Sequence, residues 1–261
     1  MKQLSLLIIA MFFLKCLYSQ KHSEYNIAVG TGLFKYAGTD NTYIEPYYSS
    51  VNTNSVAITA GGKGYANNPH GNKAGFSYFI LVGMKKITKR NFLWRYSISY
   101  ESVESKKCIN WLYDGFSYYK TLGGECLLRN QFITLSPNYG YRFTNKKNVN
   151  VYCDITGGLD IAMNFFNAHE KTYAITATNN TVTNDDLSRT NGGFHPLDVR
   201  ANLQAEIGYN RWGIIVDYTW GFFTGINTTI GSTPEVNNSR FLKFGLSYQL
   251  KSTKNKKPHN S

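Results

Sequence analysis

The chain has 261 residues, of which 42% are hydrophobic, 15% aromatic and only 17% charged, with a formal charge of +12. No stretch beyond the amino terminus approaches the ~20 consecutive apolar residues of a membrane-spanning helix, which excludes a helical membrane protein. The mean hydropathy of −0.34 suits a soluble protein but also a transmembrane barrel, because half of every barrel strand is polar.

The first residues have the layout of a secretory signal. Lys2 gives the positive start, Leu4 to Leu14 supply the apolar core, and Leu17-Tyr18-Ser19 offers a small residue before Gln20. The expected signal is 1–19, so the chain is exported. Lys15 stands where a lipobox before Cys16 needs a small residue. Removal of the signal takes Lys2 and Lys15 away, from +12 to +10. A basic balance can indicate nucleic acid, but here it is spread over turns, loops and the tail KSTKNKKPHNS at 251–261. That dispersal points to solvated turns and anionic lipid head groups, with no nucleic-acid partner.

From Gln20 onward, alternation with a period of two predicts eight strands. Their apolar positions begin with Tyr25, Ile27, Val29 and Leu33, then Phe76 to Met84, then Phe92 to Tyr100. The fourth strand carries Ile133, Leu135, Tyr139, Tyr141 and Phe143, with Pro137 predicting a bulge or kink. The fifth carries Val149, Val151, Ile155, Leu159 and Ile161; the sixth runs from Val199 to Tyr209. The seventh, WGIIVDYTWGFF (212–223), sets Trp212, Ile214, Val216, Tyr218, Trp220 and Phe222 against Gly213, Asp217, Thr219 and Gly221. The eighth carries Leu242, Phe244, Leu246, Tyr248 and Leu250.

Short connections alternate with long ones. TKRN (88–91), TNKKN (144–148) and Asn210-Arg211 have the length of tight hairpin turns. Segments 35–75, 104–128, 163–198 and 224–239 are rich in Asn, Gly, Thr and Ser and have no hydrophobic period. This is the plan of an antiparallel up-and-down transmembrane β-barrel with short periplasmic turns and long extracellular loops. The expected division is a signal at 1–19, a barrel over 20–250 and a basic periplasmic tail at 251–261.

A soluble eight-stranded barrel turns its apolar face inward, so the faces must be told apart. The apolar face here has too many Trp, Tyr and Phe side chains for the narrow interior of eight strands. The other face is small and polar, and it carries Arg95, Arg142, Arg200 and Lys243 against Glu101, Asp154, Asp160, Glu206 and Asp217. Four cations and five anions can pair in a narrow lumen, where an unpaired charge would be costly. These nine form an expected structural ion-pair network, with lipid outside.

The last strand carries a resemblance. KFGLSYQL (243–250) resembles the assembly signal of bacterial outer-membrane barrels, through Lys243, Gly245, Tyr248 and Leu250. In that family the signal usually closes the chain, whereas a basic tail follows here. Over residues 20–250 the chain resembles the small eight-stranded barrels of the OmpA/OmpX type. The resemblance implies recognition by the barrel-assembly machinery, residence in the outer membrane of a Gram-negative bacterium, and contact with outer-membrane lipid and lipopolysaccharide. The family shares no single activity.

Three cysteines remain in the mature chain. Cys108 and Cys126 flank a polar segment and are a candidate disulfide in an oxidising compartment; Cys153 falls on the apolar face. The His-x-Ser pair on a late strand by which lipid A deacylases resemble one another is absent. His70, His169 and His195 lie in or beside long loops, and His195 with Asp198 and Ser188 lacks a nucleophile's spacing. AGGKGY (60–65) lacks the strand–loop–helix setting of a phosphate cradle. NNTVTNDD (179–186), with Asp185 and Asp186, lacks the spaced oxygens of a calcium loop. No catalytic residue, metal or cofactor is expected. The favoured expectation is a non-enzymatic barrel acting through its loops in adhesion, binding of a surface or host partner, or envelope integrity. An outer-leaflet lipid A or phospholipid acyl hydrolase is the alternative, and a narrow channel the third.

Overall fold

Eight long strands follow one another around a closed antiparallel sheet. In this computed structural model they are β1 (Gln20–Gly38), β2 (Lys73–Thr88), β3 (Phe92–Cys108), β4 (Tyr118–Thr144), β5 (Val151–Asn164), β6 (Leu197–Tyr209), β7 (Trp212–Gly221) and β8 (Asn237–Lys254). Each strand pairs with its chain neighbours, and β1 closes the barrel on β8 in a ladder from His22–Lys254 to Gly38–Asn237. The structure describes residues 20–38, 46–47, 58–59, 73–108, 111–113, 118–144, 150–164, 168–176, 181–189, 197–222, 229–230, 233–234 and 237–254. The expected signal at 1–19, Val149 and most of each long connection lie outside them. β8 continues to Lys254, so the first four residues of the segment read as a tail pair with β1.

The expected turns at 88–91 and 210–211 are tight. Tyr209 pairs directly with Trp212, leaving Asn210 and Arg211 as the whole connection, and Asn210 has φ 55°. Asn91 has φ 65° and donates its N–H to the Thr88 carbonyl at 3.0 Å. Asparagine visits this left-handed region more readily than other side-chain-bearing residues, and both turns use it.

Pro137 makes neither a bulge nor a kink in register. The β4–β5 ladder runs through Leu135–Ile161, omits Ser136 and Pro137, and resumes at Asn138–Gly158 with its offset unchanged. Proline lacks the N–H that the ladder would use, and its ring is exposed on the outer face. The rest of the strand holds the register.

The segments without a hydrophobic period are not all loop. β1 reaches Gly38, β3 reaches Cys108 and β4 begins at Tyr118, so that β4 alone has 27 residues. A hairpin of Ala168–Thr176 and Thr181–Arg189 adds to the first part of β4, from Thr121–Thr176 to Arg129–His169. A transmembrane strand needs only ~9–11 residues. The sheet therefore continues well beyond any lipid band at the loop end.

Alternation inverts where it does so. From Tyr25 to Leu33, β1 turns apolar side chains out; then Phe34 and Tyr36 turn in and Lys35 turns out. On β8, Leu242 faces out, Phe241 in and Arg240 out. Across β3 and β4 the outward pairs pass from Tyr100–Ile133 to Ser102–Gln131 and then Glu104–Arg129, the last an ion pair at 3.1 Å. Below this line the wall faces oil, and above it the same strands build a water-facing barrel with an apolar inside.

Candidate functional site

The lumen is filled in layers. Nearest the turns, Arg142 from β4 grips two carboxylates at once. It donates from Nη1 and Nη2 to Glu24 at 2.7 and 2.9 Å, and from Nε and Nη2 to Asp154 at 2.6 and 2.8 Å. Lys85 stands 2.9 Å from Asp154 and 2.8 Å from Glu206, and Arg95 donates to Glu206 at 3.0 Å. The Tyr152 hydroxyl donates to Glu206 at 3.1 Å, and the Arg142 guanidinium lies 4.2 Å from the centre of its ring. A polar mouth of about 840 Å³ opens from Glu24, Arg142 and Tyr152 towards the turns.

Above this cluster the wall approaches closely. Ala28, Phe79, Leu81 and Ile215 make a small apolar layer, and the Phe79 ring lies against Gly30 and Gly245. A Cβ at Gly30 would meet that ring at 2.6 Å and the Phe244 carbonyl oxygen at 2.1 Å, so only glycine lets β1, β8 and the ring fit together.

A second ion cluster follows. Lys243 Nζ lies 2.7 Å from Glu101, 3.3 Å from Asp160 and 3.4 Å from Asp217. Arg200 donates from Nη1 to Glu101 at 2.8 Å and from Nε to Asp198 at 2.7 Å, and Asn202 hydrogen-bonds to Asp160. At the loop end Phe34, Tyr36, Val103, Leu128, Phe132, Ala162 and Phe241 form a buried apolar plug. Phe34 meets Tyr36 and Phe241 edge-on at 5.0 and 5.8 Å. The Arg200 guanidinium sits 4.8 Å from the Phe132 ring, joining plug to cluster.

All nine residues of the expected network are buried in this lumen. Reading the sequence missed Lys85 and Glu24, and it weighed Asp198 only in a nucleophile set that it set aside for want of the right spacing. Asp198 is instead held by Arg200, while His195 and the side chain of Ser188 lie outside the described residues. So do His70, the 60–65 segment and the side chains of His169, Asp185 and Asp186. Among the described residues no group of His, Cys, Asp and Glu could hold a metal. Register sets Cys108 opposite Glu125 and Cys126 opposite Lys107, and both cysteine side chains lie outside the described residues. Cys153 is a free thiol on the outward face, between Phe143 and Ile207. Of the assembly-signal residues, Lys243 is committed to the lumen, Tyr248 packs 4.8 Å from Trp212, and Leu250 is exposed.

The outer face decides what this barrel stands in. Leu203, Ile214 and Leu246 are 57%, 61% and 57% exposed in mid-wall, while Arg95, Arg200 and Glu101 inside are at most 1% exposed. Among the described residues, outward Asp, Glu, Lys and Arg occur only level with the aromatic girdles or beyond them, as with Lys86, Lys35 and Arg240. Phe92, Trp94, Tyr139, Tyr141 and Phe143 form a contiguous turn-end belt, with ring separations of 4.7 to 6.0 Å. Tyr218, Trp220 and Phe222 stand at the loop end, 6.2 and 6.0 Å apart. An apolar band between two aromatic girdles around a charged interior needs lipid outside.

The chain is an eight-stranded β-barrel with the inside-out polarity of a membrane-spanning one. No family model and no curated protein matches it. Among solved structures it is similar to Neisserial surface protein A, with 8% identity, a TM-score of 0.39, and coverage of 88% of this chain and 99% of that one. It is also similar to Ail, the attachment invasion locus protein of Yersinia pestis, with 10% identity, a TM-score of 0.34, and coverage of 88% and 99%. The translocator domain of the autotransporter NalP from Neisseria meningitidis matches with 10% identity, a TM-score of 0.26, and coverage of 95% and 96%.

Proposed function

We propose that this barrel is a non-enzymatic integral outer-membrane protein of a Gram-negative envelope. After loss of residues 1–19 it is inserted by the barrel-assembly machinery, which reads Lys243, Gly245, Tyr248 and Leu250. It then works through its loop end, by binding a protein or another cell surface. The lumen serves to hold the wall rigid. One observation carries the reading: the sheet invests most of its extra length at the loop end, where β3, β4 and the 168–189 hairpin extend past the lipid band over a plugged interior. Exposed segments on a rigid scaffold are where binding function concentrates.

The test begins with outer-membrane fractions on SDS gels, boiled and unboiled, where a folded barrel shifts on boiling. Deleting residues 168–189 should leave that shift intact and remove binding to cells or to envelope partners. A deletion that changes neither surface binding nor envelope integrity would sink the reading. Lipid A from expressing and non-expressing cells should have identical masses; a lost acyl chain would instead establish an acyl hydrolase.

A further inference from the structure

Two rows of side chains cross the outer face of β1 to β4 along the hydrogen-bond direction. Tyr25, Met84, Tyr96 and Pro137 are register neighbours on the four successive strands. One row towards the loop end, Val82, Ile98 and Leu135 are neighbours in the same way, and Ile161 continues the row on β5. Between the rows Gly83, Ser97 and Ser136 turn inward and leave the wall as bare backbone. A trench of about 480 Å³ results, lined almost wholly by apolar groups and open to the lipid side. That size lies in the range of small-molecule sites. Four strands at ~4.8 Å spacing give it a length of roughly 14 Å. Its shape follows from the two tyrosines standing as walls beside the unbranched Met84 and the short ring of Pro137, where the ladder to β5 is interrupted.

The turn side of the trench, across the Met84 row, is cationic. Lys86 is the register partner of Trp94, which pairs in turn with Tyr139, and Lys86 is half-buried on the outward face one row from Met84. Lys89 and Arg90 are exposed in the adjoining turn. An apolar trench within the lipid band, bordered on its turn side by three cations at the aromatic girdle, matches a ligand with an acyl chain and an anionic head. Trp and Tyr belong at this depth, between chain and head group, and basic side chains attract anionic heads by roughly 1 kcal/mol each.

We propose that this trench binds one anionic diacyl phospholipid of the periplasmic leaflet, with an acyl chain along Met84 and Pro137 and its phosphate on Lys86, Lys89 and Arg90. The proposal requires the membrane orientation above, and the boiling shift tests that separately.

The experiment reconstitutes the full chain in vesicles of equal phosphatidylglycerol and phosphatidylethanolamine. The protein is extracted into mild detergent, and retained lipid is counted by native mass spectrometry. One phosphatidylglycerol per barrel should be kept, at least fivefold over phosphatidylethanolamine. Met84→Trp fills the trench and should abolish retention, whereas Phe244→Trp, on the outward face of β8, should not. Lys86→Gln with Lys89→Gln and Arg90→Gln lies at the rim and spares the wall, so it reads the head-group site even if Met84→Trp fails to fold; it should remove the preference. No retained lipid, retention unchanged by Met84→Trp in a folded barrel, or a preference surviving loss of the three cations would each overturn the proposal.

Discussion

Lys243 and Asp217 are register partners on β8 and β7, yet the Lys243 ammonium lies closer to Glu101 across the lumen, at 2.7 Å, than to Asp217 beside it, at 3.4 Å. One cation thus ties β8 to β3 through the interior as well as to its neighbour. The carboxylate in the centre of WGIIVDYTWG is one of three around this lysine, and Asp217 Oδ1 makes no hydrogen bond. The two residues should therefore respond unequally to substitution. Lys243→Met leaves buried carboxylates without their cation and is expected to cost about 3–5 kcal/mol. Asp217→Asn keeps the shape, leaves Lys243 two other acceptors, and should cost about 1 kcal/mol or less. Urea unfolding in lipid vesicles measures both; equal losses would mean that Lys243 depends chiefly on Asp217.

A second expectation concerns Gly208 and Tyr152, register partners on β6 and β5. A Cβ at Gly208 would meet Tyr152 Cζ, Cε1 and the hydroxyl oxygen at 2.0, 2.3 and 2.4 Å and has no nearer backbone obstacle. The ring is held in place by Arg142, Lys85 and its bond to Glu206. Gly208→Ala should therefore destabilise by about 1–3 kcal/mol, as overpacking does. In the Tyr152→Leu background the same change should cost far less. A double-mutant cycle that came out additive would show the clash relieved by the wall.

The barrel, its inside-out polarity and nine lumenal charges were legible because they depend on a period of two, which the lipid band enforces on every strand. Lys85 was missed in MKKIT because two adjacent lysines before a turn look solvated. Yet Val82 and Met84 face out, and the same phase puts Lys85 inside. Glu24, one residue before outward Tyr25, was readable in the same way. The loop-end sheet was not readable as strand. There Phe34, Phe132 and Phe241 fall on the lumenal phase and Lys35, Arg129 and Arg240 on the outer one, so the pattern reverses within a single strand. A search for one continuous apolar face ends where the solvent changes. The 168–189 hairpin carries no alternation and is placed by backbone pairing to β4.

The polarity of the wall predicts a depth-dependent response. Leu203 stands in mid-wall on β6 and Tyr209 at its turn end, both outward. Leu203→Arg should cost about 2–4 kcal/mol and Tyr209→Arg about 0–1 kcal/mol, as at the midplane and interface of other barrels. The comparison is made by reversible unfolding from vesicles of one composition. If both arginines were tolerated alike, water rather than lipid would border β6.

Conductance separates a packed lumen from a pore. An ion entering from the loop end meets Phe34, Phe132 and Phe241, then the Lys243–Glu101–Arg200 cluster, then Phe79 against Gly30 and Gly245, and finally Arg142 with Glu24 and Asp154. An eight-stranded barrel has room for side chains and little else, and here they span it at four levels. The wild-type chain in a planar bilayer should show no discrete conductance steps. Removing the first level alone should not create them: Phe34→Ala with Phe241→Ala should lower stability by several kcal/mol, at about 3–5 for each buried ring, while the current stays at baseline, because the ion clusters below are anchored from all eight strands. Steps in the wild type would mean that these clusters part under voltage. Steps only in the double variant would assign the seal to the aromatic plug alone and make the lower layers permeable.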